Sequence, residues 1–499
     1  MTTRISAREL VDRVVDPGTF TRWDDGVLPP LGLHGPPEQA YLDELANARS
    51  KTGLDESVVT GEALLGGRRV GIVMCEFGFL AGSIGVAAAE RLVRAVERAT
   101  AEGLPLFAAP TSGGTRMQEG TVAFLQMVKI SVAITAHKAA GLPYVVYLRH
   151  PTTGGVFASW GSLGHVTAAE PGALVGFLGP RVYQALYGEQ FPEDVQTAEN
   201  LASHGLLDAV VSPEVLRTVA IDALTVLAAG RESPPDVPEL PREPLAETSA
   251  WESIQRSRRT ERPGLRALLK VAANTVTPLQ GTGQGELDRG LLLALARFGA
   301  APCVLLGQDR RYVDRPMGPA GLREARRGMR LAAELRLPLV TVIDTAGAAL
   351  SKEAEEGGLA GEIARCLAEL ATLHAPTICL LLGEGAGGGA LALLPADRVL
   401  CAQHAWLSPL PPEGASAIRF HTVEHAAEMA EAQGVRSLDL LRHGIVDRII
   451  AEHPDAADEP TAFLHRVGTV LEHELATLFG RPTGELVSAR IDRYRRLGL

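Results

Sequence analysis

Cysteine is scarce in this 499-residue chain. Cys75, Cys303, Cys366, Cys379 and Cys401 are scattered without a C-x-x-C pair, mostly inside apolar runs. This spacing excludes a disulfide framework or a cysteine zinc site and reads as reduced, buried thiols. Positive charge is also short. With 48 Lys and Arg against 59 Asp and Glu, the formal net charge is −11, which excludes a general binder of nucleic acid or of an acidic membrane surface. The opening MTTRISARELVDRVVDPG has no apolar leader core, and runs such as Pro143–Leu148 and Pro376–Leu382 are too short to cross a bilayer. The expected location is the cytoplasm. There is no G-x-x-x-x-G-K-[ST] phosphate loop, so ATP hydrolysis is not expected, and no G-x-S-x-G elbow, since Ser83 and Ser162 sit in AGSIG and WGSLG.

What is present is a large apolar fraction, 46%, with 21% charged residues. These are the proportions of a globular protein, and the length exceeds what one core organises, so two domains are expected. Ser6 offers an N-cap to a charged helix over Ala7–Val14. From Arg69 the pattern turns rhythmic. A buried strand (Val70–Cys75) leads to a turn with Gly78, Gly82 and Gly85 and a helix over Val86–Thr100. A strand opened by Pro105 ends at Gly113-Gly114, and one opened by Pro143 ends at Gly154-Gly155. Such repeated β-turn-α units imply an α/β fold. The Pro- and charge-rich stretch Ser233–Pro263 breaks the rhythm and reads as a linker. The expected division is therefore 1–230, a linker over 231–264, and 265–499.

The rhythm then returns. Pro105 and Pro338 stand 233 residues apart, as do Pro143 and Pro376; Gly154-Gly155 falls opposite Gly388-Gly389, and SHGLLDAVV (203–211) opposite RHGIVDRII (442–450). A near-constant offset with the same punctuation marks a duplication, and two copies make two domains rather than a solenoid.

Each copy places a glycine pair where an apolar strand gives way to a helix. Without Cβ atoms the backbone can approach a ligand, and unpaired N–H groups can face a negative oxygen, which is the makings of an oxyanion hole. The bland alternative is a tight turn, and the recurrence in both repeats weighs against it. Gly383, Gly385 and Gly388 also fit G-x-G-x-x-G, but the acid expected about 20 residues on is missing, so a dinucleotide site is not expected. His421, Glu424 and His425 fit H-x-x-E-H without a third ligand and read as a solvated helix face, so no metal is expected. Arginines beside the turns (Arg116, Arg149, Arg323, Arg326, Arg327, Arg330), with Lys129, are individually ordinary ion-pair partners; together they are candidates for the basic patch that a phosphate-bearing ligand demands.

GGTRMQEG (113–120), LRHPTTGG (148–155), AEPGALVGFLGPRV (169–182) and FGFLAGSIG (77–85) resemble the β-subunit of bacterial acetyl-CoA carboxylase carboxyltransferase. IDTAGA (343–348), GEGAGGGALA (383–392) and PPEGASAI (411–418) are similar to its α-subunit, and the resemblance covers roughly 15–215 and 290–455. It implies two tandem crotonase-like (ClpP/crotonase superfamily) ββα-spiral domains, with the site formed where the N-terminal half of one protomer faces the C-terminal half of another. The implied reaction moves a carboxyl group from N-carboxybiotin, borne on the biotin carboxyl carrier protein of a biotin carboxylase partner, to acetyl-CoA or another short acyl-CoA. The implied assembly is a homodimer or larger. Gly154 and Gly155 match the glycines of one hole, on the acyl-CoA side, and Gly388 and Gly389 those of the other, on the biotin side. Gly82, Gly113, Gly114, Arg116, Arg149 and Arg327 are expected to contact substrate. The β-subunit's four-cysteine zinc ribbon is missing, its partner's D-T-P-G-A reads Asp344-Thr345-Ala346-Gly347-Ala348, and Gly387 replaces a Ser. A thioester decarboxylase and a non-catalytic scaffold subunit are the alternatives.

Overall fold

The computed structural model describes every residue except 1–3, 24, 25, 27, 31, 33–36, 232–238, 311–315 and 499. The chain divides into two compact units, Met1–Ala228 with Gly283–Gly285, and Ala229–Thr282 with Glu286–Leu499. In the first unit the strands are β1 (Thr21–Arg22), β2 (Val58–Leu65), β3 (Arg68–Cys75), β4 (Leu106–Ala109), β5 (Tyr144–Leu148), β6 (Thr152–Thr153), β7 (Val166–Ala169), β8 (Val175–Gly176) and β9 (Ala209–Val210). The main sheet runs β1-β2-β3-β4-β5-β7-β9, with β6-β8 a separate parallel pair. The second unit has β10 (Thr275–Leu279), β11 (Leu291–Phe298), β12 (Ala301–Gln308), β13 (Leu339–Thr345), β14 (Thr377–Ala386), β15 (Arg398–Ala402), β16 (Trp406–Ser408) and β17 (Arg448–Ile450). Its order is β10-β11-β12-β13-β14-β15-β17, and β16 pairs with the far end of β14.

The duplication extends to hydrogen-bond register. Gly71, Leu106 and Tyr144 are aligned across β3, β4 and β5, and Val304, Leu339 and Thr377 across β12, β13 and β14. Each residue of the second set stands 233 positions after its counterpart. In both units an antiparallel hairpin feeds a parallel run, whose strands are buried along nearly their whole length because helices cover the sheet.

The helix Ala7–Val14 has the expected cap: Ser6 Oγ accepts the Glu9 N–H at 3.2 Å and the Glu9 carboxylate accepts the Ser6 N–H at 2.8 Å. One expectation changes. Of the stretch read as a linker, 232–238 lies outside the described residues, but Ala250–Ser257 is a helix of the second unit. Ala250 and Ile254 pack with Ala386, Trp406, Ala430 and Val435, and Ser257 Oγ accepts from the Trp406 indole at 2.9 Å. The helical segment Met117–Ala139 is long and apolar enough to cross a membrane by length and composition alone. Met127, Ile130 and Ile134 turn inward, while Met117, Phe124, Leu125, Val128 and Val132 are exposed.

Candidate active site

In the first unit three glycine segments converge. Gly114 and Gly154 both have positive φ, +113° and +65°, and a Cβ on Gly154 would sit 3.4 Å from the Gly114 Cα. Gly82, at φ +65°, lies so close to the Thr111 carbonyl that no side chain fits. Backbone bonds lace the turns together, Ser112 N–H to Pro151 O at 2.8 Å and Thr153 N–H to Ser112 O at 2.9 Å, while Gly113 N–H donates to Ala81 O at 2.9 Å. The structure thus gathers Gly82, Gly113, Gly114, Gly154 and Gly155 at the ends of β4 and β5.

The geometry reassigns the donors within the pair. Gly154 N–H is already given to the carbonyls of Phe177 (2.9 Å) and Gly176 (3.2 Å). Gly154 O accepts from Ala158 N–H at 3.0 Å, closing a helix-like turn. Among the described residues no acceptor takes the N–H groups of Gly155 and Val156, which are in the position of first-turn donors. Met127 backs this turn, its Cγ 3.1 Å from where a Gly155 Cβ would be.

In the second unit β14 runs into the short helix Gly387–Leu391. The N–H groups of Gly388 and Gly389 have no acceptor among the described residues. A Cβ on Gly389 would lie 3.1 Å from the Ala348 N, and one on Gly388 2.9 Å from Ile363 Cδ1. Beside the turn is a cavity of about 200 Å³ lined by Gln308, Arg310, Glu384 and the loop Asp344–Ala348. Burial pushes the Asp344 carboxyl above the usual carboxylate range, with Arg310 and Arg262 pulling the other way. Its Oδ1 accepts the Glu384 N–H at 3.2 Å, its Oδ2 has no hydrogen-bond partner among the described residues, and Arg310 Nε stands 3.5 Å off.

Most of the cations proposed for the basic patch are engaged within the chain. Arg116 is buried and held by Glu56 (2.8 Å), Ser83 O (2.9 Å) and Tyr41. Arg149 is buried and donates to the Cys75 O at 2.8 Å and to the Ile5 O. Arg327 donates to the carbonyls of Gln280 and Gly281, Arg323 and Arg326 share Glu362, and Lys129 pairs with Glu90. These cations brace loops and helices; Arg116 and Arg149 present no guanidinium to a ligand. The backbone of His421 caps the helix Pro412–Phe420 with φ +56°, and His425 pairs with Glu428 at 3.0 Å. Sequence reasoning missed Gln308, Arg310 and Glu384. The available signal was a glutamine closing a buried strand, APCVLLGQ, just before Asp309-Arg310.

Residues 32–483 match the family model of the carboxyl transferase domain. The chain is 60% identical over 498 residues, 99% of both chains, to a probable biotin-dependent acyl-coenzyme A carboxylase beta3 subunit of Mycobacterium tuberculosis. It is 37% identical over 516 residues to the acetyl-coenzyme A carboxylase carboxyl transferase subunits beta/alpha of Salinispora arenicola, covering 99% of this chain and 91% of that one. It is similar to the crystal structure of transcarboxylase 12S, a hexamer with methylmalonyl-coenzyme A bound, with a TM-score of 0.73, 20% identity, and 94% and 90% of the two chains covered. The chain accordingly shares the α/β fold of transcarboxylase 12S, carried in two compact units.

Proposed function

The chain belongs to the carboxyl transferase domain family, and from that premise we propose that it transfers a carboxyl group from carboxylated biotin on a carrier protein to acetyl-CoA or another short acyl-CoA, giving malonyl-CoA or its homologue. It is the carboxyltransferase of a biotin-dependent acyl-CoA carboxylase. The observation that carries the finer reading is the pair of glycine turns, one per unit at equivalent strand ends, each with backbone N–H groups free of acceptors among the described residues.

Removing the α-proton of a thioester moves negative charge onto its carbonyl oxygen, and fixed N–H groups lower that cost because they are aimed before the charge develops. The N–H groups of Gly155 and Val156 are suited to that oxygen. Bound biotin supplies the carboxyl group and a ureido oxygen that gains charge as the group departs. The two N–H groups of Gly388 and Gly389, in a turn without side chains of its own, are suited to that oxygen. The chain's own residues then bind, orient and exclude water, and no side-chain base is invoked.

The reading extends to a cytoplasmic enzyme acting with a biotin carboxylase and carrier subunit as a dimer or larger assembly. The exposed apolar side of Met117–Ala139 supports association between copies. The purified chain, given carboxylated carrier and a panel of acyl-CoAs, is expected to carboxylate at least one short member. No turnover of any member rejects the reading, and release of CO₂ from malonyl-CoA without a partner selects a decarboxylase instead.

A further inference from the structure

Gln308 closes β12, is 3% exposed, and spends both ends of its amide on backbone. Its Oε1 accepts the Asp344 N–H at 3.1 Å, and its Nε2 donates to the Gly389 carbonyl at 2.7 Å. One side chain thereby ties together the C-terminal ends of β12, β13 and β14.

The tie matters because of what it holds. The helix Gly387–Leu391 is five residues long, too short to satisfy its last carbonyls internally. The Gly389 carbonyl is one of these, and Gln308 supplies the donor it lacks. The turn also begins with three glycines, Gly387 at φ +67°, so side-chain packing does little to fix its direction. Its remaining restraint on this side is the close approach of Gly389 to Ala348, in the very loop whose start Gln308 also grips.

We infer that Gln308 is a positioning residue for carboxyl transfer: by clamping the Gly388-Gly389 turn to the Asp344–Ala348 loop, it fixes where the two free N–H groups of that turn stand. The inference rests on the carboxyltransferase reading above. It predicts that the Gly389 carbonyl needs a donor at this place, whatever group carries it.

Gln308→Glu tests this sharply. A protonated carboxyl has the shape of the amide, with one oxygen to accept and one O–H to donate, whereas an ionised carboxylate can only accept. Burial and the carboxylates of Asp309, Asp344 and Glu384 around the same cavity raise the pKa of the introduced group, and Arg310 opposes them. In the full-length protein with carboxylated carrier and acyl-CoA, kcat of Gln308→Glu at about pH 9 is expected to be roughly 10- to 100-fold below wild type, with KM for the carrier changed less than about threefold. As the pH falls toward about 6 it is expected to recover to within about threefold, while Gln308→Leu stays low throughout.

A Gln308→Glu profile parallel to that of the wild type overturns the inference, whether or not the leucine variant folds. So does a Gln308→Leu enzyme with nearly full kcat. Absence of transfer by the wild type overturns the underlying reading and this inference with it, and is told apart because it appears before any substitution.

Discussion

Arg116 shows how a single residue in a conspicuous motif can work away from the ligand. Its guanidinium is 1% exposed and bound to Glu56, and Glu119 beside it accepts the Val86 N–H at 2.6 Å and the Tyr41 hydroxyl. This cluster stands directly behind the Gly113-Gly114 turn and holds it to the start of the following helices. Removing one partner of a buried ion pair strands the other charge, at a cost of about 3–5 kcal/mol. Arg116→Ala is therefore expected to lower the thermal unfolding midpoint markedly, while the fraction still folded keeps its KM for acyl-CoA. A stable variant with a raised KM would restore the ligand role. The sequence shows an arginine next to a glycine turn, but its carboxylate partner lies 60 positions away, and only the folded chain brings the two together. Gly154 was legible as part of the site but not as a residue whose own N–H is already taken, because its acceptors, Gly176 and Phe177, arrive with β8 and the chain beyond it.

Elements set the next level of constraint. The helix Pro319–Leu335 holds the loop after β10 through Arg327 and through Glu324, whose Oε1 accepts the Gly281 N–H at 3.0 Å. Burial pushes the Glu324 carboxyl up to about 7 from its ordinary 4.5. A carboxyl with a raised pKa binds its proton more tightly in the folded state, so stability is greatest while it stays protonated. Stability falls as pH rises from about 4.5, with the loss complete above about 7, at a cost of roughly 3 kcal/mol. Glu324→Gln is expected to flatten the fall in unfolding midpoint between about pH 5 and 7, and an unchanged slope would contradict this assignment. At this scale the sequence was informative wherever local rules decide. The Ser6 cap and the strands opened by Pro105, Pro143, Pro338 and Pro376 all appear where the pattern puts them. The Ala250–Ser257 helix carries the same kind of signal, Ser249 accepting the Glu252 N–H at 3.1 Å, but it is embedded among prolines that suggest a linker. Its docking on Trp406 is a tertiary fact that no local pattern contains.

At the scale of the whole molecule, duplication organises the account. Equal spacing of the prolines in sequence became equal register across the parallel runs of the two sheets, and the two glycine pairs came to rest at equivalent strand ends. A reaction that builds charge on two different oxygens needs two such turns, and each must do its own part. The most direct measurement is carboxyl transfer from carboxylated carrier to acyl-CoA by Gly155→Val and Gly389→Val, with thermal unfolding run alongside. A side chain at Gly155 meets the flexible Met127, and one at Gly389 would start 3.1 Å from the Ala348 N, so each crowds its turn. Both proteins are expected to fold, and each to lose transfer by about 100-fold or more, the scale of losing an oxyanion donor. A folded variant of either kind with near-normal turnover would contradict this.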